Sequence, residues 1–447
     1  MLVHSNRTQV DRPRYAGVYL CFDLLIFLWL KLFFCIEINA SVDEMKLTGP
    51  FLFILATLMI DAIGVGIVFP IVPDLMDRVG AGSAAEGALW GGIMMSAYAA
   101  AMFIFGPIVG GLSDAYGRRP ILIAALATLA IDYIIMAMAQ TYWVLLMGRI
   151  IAGMAGATYI TATAYISDIT KREERGAAFG MIGAAFGVGF VFGPALGGIA
   201  SGWHITAPFW IAATLSTLNM FFGFFILPES LNLDSRRSFN KRELNPFASI
   251  VRAFFIPGLT IPLICIFIFE FANMVYPALW AFWGREVFAW NSFTIGLTLS
   301  AYGVLIAAVQ SGLLPQMTKR LGDYRTLIFA SMAAIISLIG FGFSTAAWVV
   351  VIVMPIAALS DMAPPLLTAV AANKVADNQQ GLVQGVIASL ASVAAVLAPL
   401  VLTGVFEQFV DEKGLYFPGA PFFIAAVLII AIIPLILCLN PRRIPHR

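Results

Sequence analysis

From residue 50 onward the chain alternates long apolar runs with short polar connections. The runs fall near 50–75, 87–109, 120–140, 142–166, 176–200, 207–228, 257–283, 293–317, 324–344, 346–370, 381–404 and 418–439. Each reaches the roughly 20 residues an α-helix needs to cross hydrocarbon. Lipid offers no partner for free backbone N–H and C=O groups, so such runs must close their own hydrogen bonds as helices. The pattern predicts an all-α membrane protein of twelve spans. The longest polar stretch, 229–256, begins ESLNLDSRRSFNKRELN and separates six runs from six. The predicted units are a bundle over 47–228, a linker over 229–256, a second bundle over 257–440 and a tail over 441–447.

The two halves repeat. At an offset of 205, Gly117 aligns with Gly322, Trp143 with Trp348, Gly176 with Gly381, Gly180 with Gly385 and Pro194 with Pro399. Glycine and proline answer backbone needs, so matched punctuation implies matched geometry. Two six-helix bundles in the same orientation are expected, with a site between them near the middle of the membrane.

Charge then orients the chain. Basic residues crowd alternate connections: Arg118 and Arg119, then Lys171, Arg172 and Arg175, then Arg236, Arg237, Lys241, Arg242 and Arg252. Lys319, Arg320, Arg325, Lys374 and the tail residues Arg442, Arg443 and Arg447 continue the series. The opposite connections hold only Arg78, Arg285 and Lys413. The positive-inside rule makes the first side cytoplasmic, with both ends of the twelve-span core inside. Residues 1–46 fit less well. AGVYLCFDLLIFLWL at 16–30 is apolar but short, and a thirteenth span would carry Arg7, Arg12 and Arg14 outward. The expectation is an interfacial segment or an extended start, with Met45 as a candidate initiator; INAS at 38–41 is a weak cleavage site.

Composition narrows the function. The 447 residues are 61% hydrophobic and 11% charged, too few charges for a soluble domain of this size. A net charge of +1 gives no footprint for a nucleic-acid partner. Cys21, Cys35, Cys265 and Cys438 lie in apolar stretches without metal-ligand spacing and read as inert core or lipid-facing residues. The zincin, nucleophile-elbow and P-loop patterns are missing, which weighs against an enzyme and leaves no metal or cofactor implied.

Three motifs carry a resemblance. GGLSDAYGRR at 110–119 resembles the loop signature of the major facilitator superfamily, G-x-L-[AS]-D-[RK]-x-G-[RK]-[RK], departing from it at Ala115. GFVFGPALGG at 189–198 resembles the antiporter signature G-x-x-x-G-P-x-x-G-G, and GRIIAGMAGA at 148–157 the R-x-x-x-G-x-x-G signature of its drug:proton group. IDAIGVGIVFPIVP at 60–73, IDY at 131–133 and WN at 290–291 look like the tetracycline-exporter branch. The likeness covers about 48–440 and implies an inner-membrane, proton-driven transporter that works as a monomer on a small-molecule substrate. It also implies a conformational latch. Gly110, Asp114, Gly117, Arg118, Arg119 and Asp168 would hold the cytoplasmic ends of the halves together in the outward-open state. Asp114 would dock near Gln380 and Gly381 at a helix start, and Arg118 would pair with Asp168. The loop itself is expected to be about four residues long. Gly189, Gly193, Pro194, Gly197 and Gly198 would form a tight hinge between the halves. Gly176, Gly180, Gly183 and Gly187 line one further face of the same helix, where small residues allow close approach.

Ionisable residues inside the spans are costly and mark function by default. They are Asp61, Asp132, Arg149, Glu270 and Asp361. The resemblance gives Asp61 and Arg149 roles in proton or substrate handling, with the two drawing together and apart during transport. Asp132 is placed near the outer interface. The tetracycline branch carries a histidine and an acid where this chain has Ile306 and Ala334, and small neutral residues where it has Glu270 and Asp361. Coupling or substrate contacts are therefore expected at Glu270 and Asp361, which suits a cationic or zwitterionic cargo. The alternative is that these acids bond neighbours such as Asn273. Tyr98, Asn273, Tyr276, Trp280 and Gln310 are candidate cavity residues; Tyr276, Trp280 and Trp283 would otherwise serve as interface anchors. Export of an amphipathic drug or metabolite in exchange for protons is the leading expectation. Uptake or exchange of a nutrient, or a receptor without transport, are the alternatives.

Overall fold

The computed structural model describes residues 49–156, 158–171, 174–232, 236, 256, 258–375, 380–411 and 415–439. The expectations for 1–46, the central part of the linker and the basic tail lie outside these residues. Twelve apolar helices long enough to cross a membrane follow one another: α1 Gly49–Arg78, α2 Ala84–Tyr116, α3 Arg118–Met138, α4 Tyr142–Ile169, α5 Arg175–Ser201 and α6 Ala207–Ile226. The second six are α7 Thr260–Phe288, α8 Ser292–Leu321, α9 Asp323–Gly342, α10 Ala347–Ala372, α11 Gln380–Val410 and α12 Ala420–Cys438. The described residues contain helices and connections and no strand.

Within the first six, α1 packs on α5 and α6, α3 on α6, and α4 on α2 and α3. Within the second, α9 packs on α10 and α12, and α7 on α10, α11 and α12. The two bundles meet mainly through α2 against α11 and α5 against α8.

The repeat is structural as well as sequential. Gly117 and Gly322 are the sole residues between α2 and α3 and between α8 and α9, with φ of +108° and +79°. This left-handed region is open to glycine at little cost. The connection at GGLSDAYGRR is thus one residue, not about four. Ser113, Asp114 and Tyr116 stay helical, the helix running on through Pro107, Gly110 and Gly111 and ending only at Gly117. Trp143 and Trp348 are likewise equivalent, each highly exposed in the first turn of its helix, α4 and α10. That is where amphipathic rings meet the headgroup layer.

Helix starts at the opposite end are capped by side chains. The Ser83 hydroxyl accepts from the Glu86 N–H (3.1 Å), while Glu86 Oε2 accepts from Gly82 N–H (2.7 Å). Asn291, from the WN pair, caps α8 by accepting from Thr294 N–H (2.9 Å). Each bond satisfies a donor that the helix geometry leaves free.

The interface between the bundles differs at its two ends. At the end carrying Arg285, backbones nearly touch: Gly198 lies against Ser292 and Phe293, Gly296 against the Pro194 carbonyl, and Gly92 against Thr403. Phe282 fills the space over Gly87 and Gly91. At the end carrying Arg118, the glycine face of α5 (Gly176, Gly180, Gly183, Gly187) has nothing within 4 Å of where a Cβ would stand. Gly381 and Gly385 of α11 are equally open. The molecule is closed between the bundles at the Arg285 end and open at the Arg118 end.

Candidate transport site

In the first bundle, α3 and α4 present Asp132 and Arg149 to each other. The guanidinium Nη2 meets Asp132 Oδ2 in direct ion-pair contact, and the Asp132 side chain is fully buried. Asp132, in the outer part of α3, therefore faces the bundle interior. The expected partner of Arg149 was Asp61; the partner found is Asp132. Helix α3 has the right phase for this, since Gly148 on α4 leaves room for the Asp132 carboxylate. Arg149 also lies over the rings of Tyr98 and Tyr133, 5.5 Å and 5.9 Å from their centroids. A cation over an aromatic face gains from the ring quadrupole, more so when desolvated. Asp61, one turn before Gly64 on α1, is within electrostatic reach of both tyrosine hydroxyls. The Tyr133 hydroxyl fills the notch that Gly64 leaves. Asp61 has no hydrogen-bond partner among the described side chains.

In the second bundle three helix irregularities converge. Helix α7 breaks at Met274, one turn after Glu270; α10 breaks at Asp361; α8 loosens into a π-helical turn over Val309–Leu313 that contains Gln310. Such breaks in membrane helices are tolerated where they line a cavity or find other partners. Here the Tyr302 hydroxyl donates to Asp361 Oδ2 (2.7 Å) and Gln310 Nε2 donates to the Asp361 carbonyl (3.4 Å). Glu270 is close enough to Asp361 for their charges to interact. The partner of Asp361 is thus Tyr302 from α8, not Asn273, which is half-buried at the end of the first part of α7.

Tyr276 and Trp280 are not interface anchors. Both are buried, with Trp283, in an aromatic cluster joined by Phe341 and Phe422. Trp280 donates its indole N–H to Thr298 (2.9 Å). Tyr276, Trp280, Leu299, Tyr302 and Phe341 wall a cavity of about 10 Å³, room for a single water.

At the Arg118 end, Arg118 bridges Asp114 and Asp168, the latter at 3.2 Å. Arg119 donates to the Phe224 carbonyl on α6 (2.5 Å). Gly110 packs loosely towards Ile160. These contacts lie inside the first bundle. Glu229, at the head of the linker, accepts from the N–H groups of Arg118 (2.9 Å) and Arg119 (3.3 Å) and so caps α3 from 111 residues away. The hinge motif is also redistributed. Gly189, Gly193 and Gly197 press on the backbone of α1 in their own bundle, while Val191, the Pro194 carbonyl and Gly198 reach α8.

The sequence reading passed over one cluster. Arg285 on α7 pairs with Asp74 (3.2 Å) and Asp77 on α1, and the Ser292 hydroxyl also bonds Asp74. These are the charged links across the bundle interface at the closed end. Their signal was in the chain: an isolated arginine and two acids in connections otherwise poor in charge.

Two six-helix bundles that enclose ionisable groups, joined at one end and parted at the other, define a membrane transporter. The family model described as the Major Facilitator Superfamily matches residues 54–399, and the chain belongs to that superfamily. It is 37% identical over 366 residues to the class C tetracycline resistance protein of Escherichia coli, covering 81% of this chain and 91% of that one. Identity to the class G tetracycline resistance protein of Vibrio anguillarum is 34% over 348 residues, 78% of this chain and 88% of that one. Among solved structures, the human organic anion transporter MFSD10 (TETRAN) superposes with a TM-score of 0.65 at 21% identity, covering 87% and 98% of the two chains. The last likeness concerns the fold alone.

Proposed function

We propose that this protein exports a small amphipathic drug or metabolite from a bacterial cytoplasm across the inner membrane in exchange for protons. It needs no bound cofactor and works as a monomer. The observation that carries this reading is a bundle interface sealed at one end and open at the other, with Asp132 buried in one bundle and Asp361 part-buried in the other. The tetracycline resistance relatives supply the direction and the kind of cargo. The basic Arg118 end is cytoplasmic by the positive-inside rule, which makes this conformation inward-open. Cargo enters from the cytoplasm, the bundles rock, and the Arg285 end parts. Asp61 takes a proton from outside as cargo leaves and returns it inside. A carboxylate in low dielectric surroundings readily exchanges between charged and neutral forms. Arg149 stays charged and, paired with Asp132, holds a fixed field beside it. The Arg118, Asp114 and Asp168 cluster latches the cytoplasmic end when the bundles close there.

The test is a substrate-panel export assay in energised everted vesicles. A substrate of this exporter discharges the proton gradient on addition, and Asp61→Asn abolishes that discharge while the protein remains folded. Coupled export by the Asp61→Asn variant at the parent rate would remove Asp61 from the mechanism.

A further inference from the structure

We propose that Tyr133 is a positioning residue for proton exchange, its hydroxyl being the partner that Asp61 takes when its carboxyl ionises. The proposal rests on the export reading and assigns what governs the proton carrier within it. Tyr133 is buried on α3 and spans two parts of the site. Its ring lies under Arg149, with the centroid 5.9 Å from the guanidinium carbon, while its chain neighbour Asp132 holds the same guanidinium as an ion pair. The far end of the ring is lodged against α1. A Cβ at position 64 would stand 2.9 Å from ring carbon Cζ and closer still to the hydroxyl oxygen, so the seat exists because Gly64 has no side chain. Gly64 follows Asp61 by three residues, and residues at that spacing are neighbours on one helix face. The hydroxyl and the carboxyl are within electrostatic reach of each other.

Both groups are unpaired in this conformation: neither makes a hydrogen bond among the described residues. A buried phenol without a bond costs free energy, and phenylalanine would fill the same space without that cost. The hydroxyl is accounted for by a partner that needs it in only part of the cycle, and Asp61 is such a partner. An O–H group donates to a carboxylate roughly twice as strongly as to a neutral acceptor. The contact therefore favours the charged form of Asp61 and eases release of its proton. The other groups around Asp61 are few. From α2 comes Tyr98, whose ring lies 5.5 Å from the Arg149 guanidinium carbon. Asp132 of α3 and Arg149 of α4 neutralise each other. Further along α4, Tyr165 donates to the Pro228 carbonyl and Asp168 pairs with Arg118. Helix α5 meets α1 through Gly189, Gly193 and Gly197, and α6 through Asn219, which accepts from Thr57 at 3.2 Å; none of these titrates.

The experiment follows labelling of Asp61 by dicyclohexylcarbodiimide, which reacts with protonated carboxyls, as a function of pH. The full chain is held in lipid nanodiscs and the label is mapped by mass spectrometry. Tyr133→Phe keeps the ring under Arg149 and removes an oxygen that has no bond. Labelling of Asp61 is expected to persist to higher pH in this variant, its midpoint moving up by about one pH unit, a tenfold change in proton concentration. Gly64→Ala dislodges the same hydroxyl and is expected to move the midpoint the same way. The double variant is expected to move no further than either single one, because both changes remove one contact. A midpoint unmoved in Tyr133→Phe, or shifts that add in the double variant, overturns the proposal and leaves the export reading standing. Should Gly64→Ala not fold, Tyr133→Phe alone decides. Proton-coupled export by Asp61→Asn at the parent rate, a separate measurement in everted vesicles, would instead sink the export role of Asp61 and that of Tyr133 with it.

Discussion

The two ends of α5 show how one helix serves two purposes. Its half towards the Arg285 end carries Gly189, Gly193, Gly197 and Gly198, each pressed against another backbone. Its half towards the Arg118 end carries Gly176, Gly180, Gly183 and Gly187, each facing open space. Both sets are small residues at helical spacing, and local propensity cannot separate them. What separates them is the neighbour. The first set fixes α5 to α1 inside its bundle and to α8 across the interface. The second meets no neighbour in this conformation. Close backbone approach thus holds α5 to α1 within the bundle, while the contact of Gly198 with α8 belongs to the closed end of this conformation.

The largest effect expected from breaking this contrast is at Gly193. Gly193→Leu drives a side chain into the Ile63 carbonyl and Gly66. Backbone cannot yield as a side chain can, so the cost should be about 3 kcal/mol or more. Loss of monodisperse protein in detergent chromatography is the readout. Next is Gly183→Leu. It meets nothing in the inward-open form, so thermal stability should hold, within the roughly 0.5 kcal/mol usual for a substitution that touches nothing. Transport should nevertheless stop, because the cytoplasmic end can no longer close; a cysteine placed on that face should stay reactive to maleimide under all substrate conditions. Active transport by Gly183→Leu would show that this face never docks.

A smaller effect is expected from Arg285→Ala. Partly exposed ion pairs are worth up to about 1 kcal/mol each, so losing the links to Asp74 and Asp77 should shift the equilibrium towards outward-open about 5- to 30-fold. Accessibility of a cysteine near Gly91 to an impermeant reagent added outside measures it. The smallest is Asp114→Asn. Asp114 is partly exposed and its ion pair stays within one bundle here, so the folded inward-open form should lose less than about 1 kcal/mol. A drop in transport rate without a drop in melting temperature would place its main partner in the opposite conformation.

Much of the architecture was legible in the sequence because lipid makes the rules strict. Apolar runs of membrane length gave the twelve spans, and glycine and proline spacing gave the repeat. The class of protein followed from GGLSDAYGRR and GFVFGPALGG. Partnerships were less legible. Arg149 could have met Asp61 or Asp132, and only the relative phase of α3 and α4 decides for Asp132. The cap that Glu229 places on α3 spans 111 residues and has no local signature. Asp74, Asp77 and Arg285 looked like ordinary connection charges until the bundles were brought together. Tyr276 and Trp280 could be cavity wall or interface anchors alike, because periodicity in a helix apolar all round cannot tell lipid from core.

Gly117 and Gly322 carry a mechanical consequence. A turn of one residue leaves little chain between the arms, so α2 with α3, and α8 with α9, are joined directly at the membrane surface. What a cargo does to α8 is therefore felt at the start of α9.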